Sequence, residues 1–177
     1  MRADAAPARP IAFDGRRAAL AARASFLVIV VWIALTMAFH AWGMTRLYAA
    51  FDLPFHFLCH RMPERILSIG GVPMPMCSRC AGIWVGMSLS AAAAWPPVSI
   101  RALRIIFPIA AALMALEVFT QDMGWHPVFH PTRVLTGLLV SVPFGGALGA
   151  LITRELARSA EAPSRDAGPP RPPEAAG

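Results

Sequence analysis

Three cysteines and two histidines crowd one stretch of this 177-residue chain. Residues 51–80 read FDLPFHFLCHRMPERILSIGGVPMPMCSRC and hold every cysteine of the sequence, Cys59, Cys77 and Cys80. Cys77 and Cys80 form a C-x-x-C pair, the spacing at which two thiolates take neighbouring corners of a tetrahedron, as in half of a zinc site. Cys59 offers a third sulfur, and His56 or His60 a nitrogen. A second chemistry uses the same residues. On the oxidising face of a membrane two of the cysteines would form a disulfide, structural or redox-active, and leave one thiol over. A third reading is packing alone, because free cysteine is often a small buried hydrophobe.

These side chains need elements to hold them. Asp52, ahead of Leu53 and Pro54, reads as a helix start and Pro63 as a stop, so the spacing predicts a short surface helix over residues 53–62. Phe51, Phe55, Leu58 and Met62 would form its apolar face, while His56, Cys59 and His60, spaced i, i+3, i+4, would share another. Adjacent residues on a regular helix diverge, so this geometry prefers His56 over His60 as the partner of Cys59. Gly70, Gly71, Pro73 and Pro75 then turn the chain back, and the C-x-x-C pair opens the next helix, whose N-terminus favours thiolate over thiol.

Composition says where those helices lie. The chain is 56% hydrophobic and 15% charged, against about 25% charged in ordinary soluble domains; disorder is excluded and a soluble enzyme disfavoured. All sixteen basic residues are arginine, and most flank apolar runs, so the net charge of +6 does not describe a nucleic-acid-binding face. The partner is the lipid bilayer. Crossing it takes roughly 20 apolar residues in a helix. Phe26–Met44 and Val134–Ile152 carry no charge; Ala81–Trp95, begun near a capping Ser78 and stopped by Pro96 and Pro97, and Ile105–Phe119, with Pro108 and Glu117 inside it, are shorter. The predicted fold is all-α: an integral membrane protein with a bundle of about four transmembrane helices and the short surface helix in its first outer loop.

Arginine placement orients the bundle. Arg2, Arg9, Arg16, Arg17 and Arg23 precede span one, Arg101 and Arg104 join spans two and three, and Arg154, Arg158, Arg165 and Arg171 follow span four. The positive-inside rule then puts both termini in the cytoplasm and the cysteine loop outside. Residues 1–24 read as a cytoplasmic arginine-rich segment, 25–153 as the membrane domain, and 154–177 as a disordered tail. Gly82, Gly86, Ser90 and Ala94 recur every four residues, as do Ser141, Gly145 and Gly149, which predicts close contact between spans two and four. Glu117 is an ionisable group within a span, and Arg79 and Arg133 are its natural partners. His126 and His130, each followed by proline, read as exposed loop residues, and His40 as an interfacial one.

The runs CHRMPER, MCSRCAGIWVG, FTQ and TRVLTG together resemble the domain-of-unknown-function family 2085, small prokaryotic multi-pass membrane proteins. The resemblance covers about residues 48–150. It implies a prokaryotic cytoplasmic membrane and marks Cys59, His60, Cys77, Arg79, Cys80 and Gly82, with Glu117 as the acidic position of the third helix, Gln121 after it, and Arg133 as the later arginine. Arg61 stands where members usually carry glutamine, and ERIL where they carry an Arg-Ser-Phe run. The family brings no activity with it.

Two functions follow from the residues. One is a metal centre, zinc foremost, made by Cys59, Cys77, Cys80 and His56 or His60, with Arg79, Glu117, Gln121 and Arg133 as a supporting polar cluster. The other is a quinone-coupled or related thiol-disulfide oxidoreductase working through Cys77 and Cys80, with Arg79 beside the nucleophilic thiolate. No serine triad, paired-carboxylate site, P-loop or dinucleotide fingerprint occurs, and whether the protein is an enzyme is left open. The arginine distribution makes one prediction directly. A membrane-impermeant thiol reagent added to intact cells, after metal removal and reduction, should label the cysteine loop; labelling only after the inner face is opened would reverse the orientation.

Overall fold

A computed structural model describes residues 14–166, with side chains through Ser159. In chain order the elements are α1 (Gly15–Ala24), α2 (Leu27–Ala41), α3 (Thr45–Leu58), β1 (Ile66–Ile69), β2 (Val72–Cys77), α4 (Ser78–Ala93), α5 (Ile100–Asp122) and α6 (His130–Asp166). Among the described residues three stretches are long and apolar enough to cross a bilayer: Gly15–Ala41, Ile100–Asp122 and His130–Ser159. The fourth helix of the bundle, α4, has 16 residues, about 24 Å of rise. The molecule is a helical membrane protein, as its composition requires.

The helix ends follow ordinary local chemistry. Asp14 caps α1 by accepting from the backbone N–H groups of Arg16 and Arg17 at 3.1 and 3.2 Å, and the Ser99 hydroxyl accepts from Ala102 N–H at 3.2 Å to start α5. Several boundaries differ from the sequence reading. Residues 15–24 are α1, and they pack against α4 and α6 instead of forming a separate segment. At the other end the helix continues through residue 166, so residues 154–166 are helical where a disordered tail was expected; residues 1–13 and 167–177 lie outside the described part. Pro131 sits in the first turn of α6, where a missing N–H costs nothing, so His130 opens a helix and not a loop. Ser78 is the first helical residue of α4 and Cys77 its N-cap.

The largest correction concerns residues 51–80. The predicted helix over 53–62 is instead the end of α3, which begins at Thr45 and takes Pro54 into its interior. Pro54 has no N–H to give the Ala50 carbonyl, so the helix runs through it with one ladder bond missing. Cys59 has left the helix, with φ −150° and ψ 137°, so His56, Cys59 and His60 do not share a helical face. The link to α4 is a β-hairpin, with Ile69 opposite Val72 and Ile66 opposite Cys77. Gly70 and Gly71, at φ +59° and +81°, form its two-residue turn, a conformation that suits glycine.

Small residues set the centre of the bundle. A methyl group on Gly82 would lie 2.5 Å from the Val134 carbonyl oxygen, and one on Gly137 would lie 2.6 Å from that of Arg79. Gly86 abuts Ser141, and Gly149 abuts the backbone of Ala91, so α4 and α6 touch main chain to main chain along their shared length. The repeating small residues predicted this contact, and it supplies the dispersion that replaces the hydrophobic effect inside lipid. On the other side of α4, Ile33, Phe55, Met74, Met76 and Ala81 bind α2, α3 and the hairpin into one apolar cluster. Gly82→Ala or Gly137→Ala must push the two backbones apart and should destabilise the protein by about 1–3 kcal/mol, read as a lower melting midpoint in detergent. An unchanged midpoint would contradict the contact.

Candidate metal centre

The fold brings Cys59 back to the start of α4. The two segments are 18 positions apart in sequence, yet the Cys77 N–H donates to Cys59 Sγ at 3.3 Å. The sulfurs of Cys59, Cys77 and Cys80 all lie within 4.8 Å of one another, and none is in a disulfide. Cys59 and Cys77 are buried and Cys80 half-buried. The pairing of Ile66 with Cys77 fixes where β2 ends, and one helical turn from Cys77 to Cys80 puts the second sulfur on the same side.

A buried pair holds the Cys59 segment in place. Asp52, 5% exposed on α3, accepts from Arg61 Nη1 at 2.6 Å. Arg61 has a positive φ of 50°, a conformation costly outside glycine, and its ion pair spans Cys59 and His60 like a brace. The sequence reading took Asp52 as a helix cap and overlooked this role; a carboxylate seven residues before a Cys-His pair gives no spacing signal. The same brace takes up His56, whose Nε2 and Nδ1 lie 3.0 and 3.2 Å from Arg61 Nη1, with the ring 57% exposed. His56 is therefore not grouped with the sulfurs. His60 lines the cavity that the three cysteines line, a space of about 340 Å³ that also receives Arg61, Arg65, Arg79 and Arg133.

The other histidines have separate partners. His126 Nε2 meets the Thr120 hydroxyl at 2.9 Å, His130 Nδ1 meets the Ser78 hydroxyl at 3.2 Å, and His40 packs edge-on against Tyr48. The last turn of α5 serves the arginines. Glu117 pairs with Arg79, both side chains being about nine-tenths buried; Gln121 accepts from Arg133; Asp122 accepts from Arg65 at 2.7 Å. Of the two partners anticipated for Glu117, the structure selects Arg79.

At the N-cap of α4, hydrogen bonds from the Cys80 thiol and backbone N–H outweigh burial and hold the Cys77 thiol below its ordinary range. Cys59 and the Arg133 guanidinium add to this shift. Three converging sulfurs, one of them biased toward thiolate, suit a soft or borderline cation.

Residues 59–146, from the first cysteine to the glycines of α6, match the family described as predicted membrane protein (DUF2085). An uncharacterized protein of Methanothermobacter thermautotrophicus is 35% identical over 86 residues, 48% of this chain and 78% of the relative. The chain belongs to the DUF2085 family. A second relative, an uncharacterized protein of Methanocaldococcus jannaschii, is 31% identical over 110 residues, 52% of this chain and 60% of that protein. No solved structure matches. The DUF2085 match encloses all three cysteines together with Arg79, Glu117, Gln121 and Arg133, while Asp52 lies before it.

The Arg79 and Glu117 pair bears on stability whatever the sulfurs bind. Glu117→Gln strands a guanidinium that is about nine-tenths buried, which should cost roughly 3 kcal/mol. The check is the melting midpoint in detergent; no change would mean that water reaches the pair.

Proposed function

We propose that this DUF2085 protein is a metal-binding membrane protein in which Cys59, Cys77 and Cys80 hold a divalent ion, zinc foremost, and His60 or water completes the tetrahedron. The observation that carries the reading is the meeting of three sulfurs from two separate chain segments within 4.8 Å. Packing alone does not explain why Arg61 is held in a costly conformation beside the first of them. A bound zinc ion would join the α3 end to α4 and, through its position on the cavity, offer Lewis-acid chemistry to whatever enters. With both termini cytoplasmic, the centre lies at the outer face of a prokaryotic cytoplasmic membrane.

Thiol-disulfide exchange through Cys77 and Cys80 is the competing reading, and the lowered Cys77 thiol speaks for it. Its weakness is arithmetic: onward electron transfer needs a second pair, and Cys59 is a single thiol.

Purification in detergent without chelator, followed by metal analysis and thiol counting, separates the two. The metal reading expects one ion per chain, with all three thiols shielded until chelation. Cys59→Ser, Cys77→Ser and Cys80→Ser should each remove most of the ion, and chelation should lower the melting midpoint of the parent. One reactive thiol that becomes three only on reduction, without metal, would overturn the centre.

A further inference from the structure

Arg133 is 1% exposed and the largest fully buried side chain among the described residues. Arg61, Arg65 and Arg79, which line the same cavity, are each matched by a carboxylate: Asp52 at 2.6 Å, Asp122 at 2.7 Å and Glu117. Arg133 has none within hydrogen-bond distance. Its one hydrogen-bond partner among the described residues is the neutral Gln121 side chain, and its Nε has no acceptor.

A guanidinium cannot shed its charge by losing a proton, so a buried one must be balanced by a negative group nearby. At 1% exposure its side chain presents almost no surface to solvent, although the cavity it lines is open. The balancing group is internal, and one carboxylate, Glu117, faces both Arg79 and Arg133 and has its Oε1 without a hydrogen-bond partner, so two buried guanidiniums against one acid still leave one positive charge. What remains against Arg133 is the cysteine cluster, on the wall of the same cavity. The main-chain contact of α4 with α6 puts it there: Gly137, one turn after Arg133, touches the carbonyl of Arg79 between the two cysteines of α4's start. Three thiolates and one divalent ion carry a single net negative charge, equal and opposite to one arginine.

We infer that Arg133, aimed by Gln121, is the built-in counter-charge of the cysteine centre, a positioning residue that touches no ligand of its own. The inference rests on the metal reading for its ion and on burial and geometry for its charge. It explains why the acceptor for Arg133 on α5 is an amide while the acceptors on either side, Glu117 and Asp122, are acids. A carboxylate at position 121 would take the charge that the centre needs.

That difference supplies the test. Gln121→Glu gives Arg133 a carboxylate at its present partner's position, so a purely structural role for the pair predicts a higher melting midpoint and unchanged metal binding. The counter-charge predicts zinc affinity ten- to a hundredfold weaker, the usual loss when a group supporting the ligands is changed. The affinity is measured in detergent by competition with a chromophoric chelator. Arg133→Met should lose zinc to a similar degree, and Arg133→Lys should keep it to within a few-fold. Unchanged affinity in Gln121→Glu would overturn the inference. If the parent protein binds no zinc, the metal reading fails, and alkylation of the three thiols by iodoacetamide at neutral pH decides for Arg133 alone. Rates about tenfold lower in Gln121→Glu and Arg133→Met but kept in Arg133→Lys uphold the counter-charge; equal rates in all four proteins refute it.

Discussion

The backbones of α4 and α6 lie in direct contact, and most of the polar architecture depends on that contact. Gly82 faces the Val134 carbonyl and Gly137 faces the Arg79 carbonyl, so the first turns of the two helices are locked side by side. Arg79 and Arg133 are thereby carried to one end of the bundle with their charges close together. In water, two such cations would turn away from each other. Here both are buried, and the protein must furnish acceptors. The last turn of α5 furnishes them as Glu117 for Arg79 and Gln121 for Arg133, which fixes the end of a helix whose remaining surface is largely apolar and exposed.

The polar cluster sits where the cavity wall meets the end of the hairpin. The hairpin and the Asp52 to Arg61 brace then solve a separate problem, which is to return Cys59 to α4 without a long structureless loop. Loop closure over 18 positions costs entropy. The β-ladder, the tight Gly70-Gly71 turn and burial of Met74 and Met76 offset that cost. The fold thus brings the three sulfurs to one place.

Much of this was legible in the sequence because its signals are periodic or extreme. The four-residue repeat of small side chains announced the α4 and α6 contact, the charge-free runs announced the membrane, and a lone acid in an apolar span announced the Glu117 pair. The hairpin was not legible. Pro73 and Pro75 are the residues that normally deny a strand, and here they are accommodated because β2 has only one neighbour. The start of α3 is hidden for a related reason: Asp52-Leu53-Pro54 imitates a helix N-terminus inside a helix that begins at Thr45. Once α3 begins at Thr45 its end moves to Leu58, and the helical register that favoured His56 over His60 no longer exists.

That shift of register changes what the Cys-His pair is. On a helix, Cys59 and His60 would diverge by about 100° and only one would face the site. In extended chain braced by Arg61, Cys59 turns inward to accept from the Cys77 backbone while His60 remains exposed on the wall of the same cavity. The buried sulfur is fixed by the fold, and the imidazole is exposed and has no hydrogen-bond partner among the described residues. If the cysteines hold an ion as proposed, its three sulfur contacts would come from the buried side and a fourth from the cavity side.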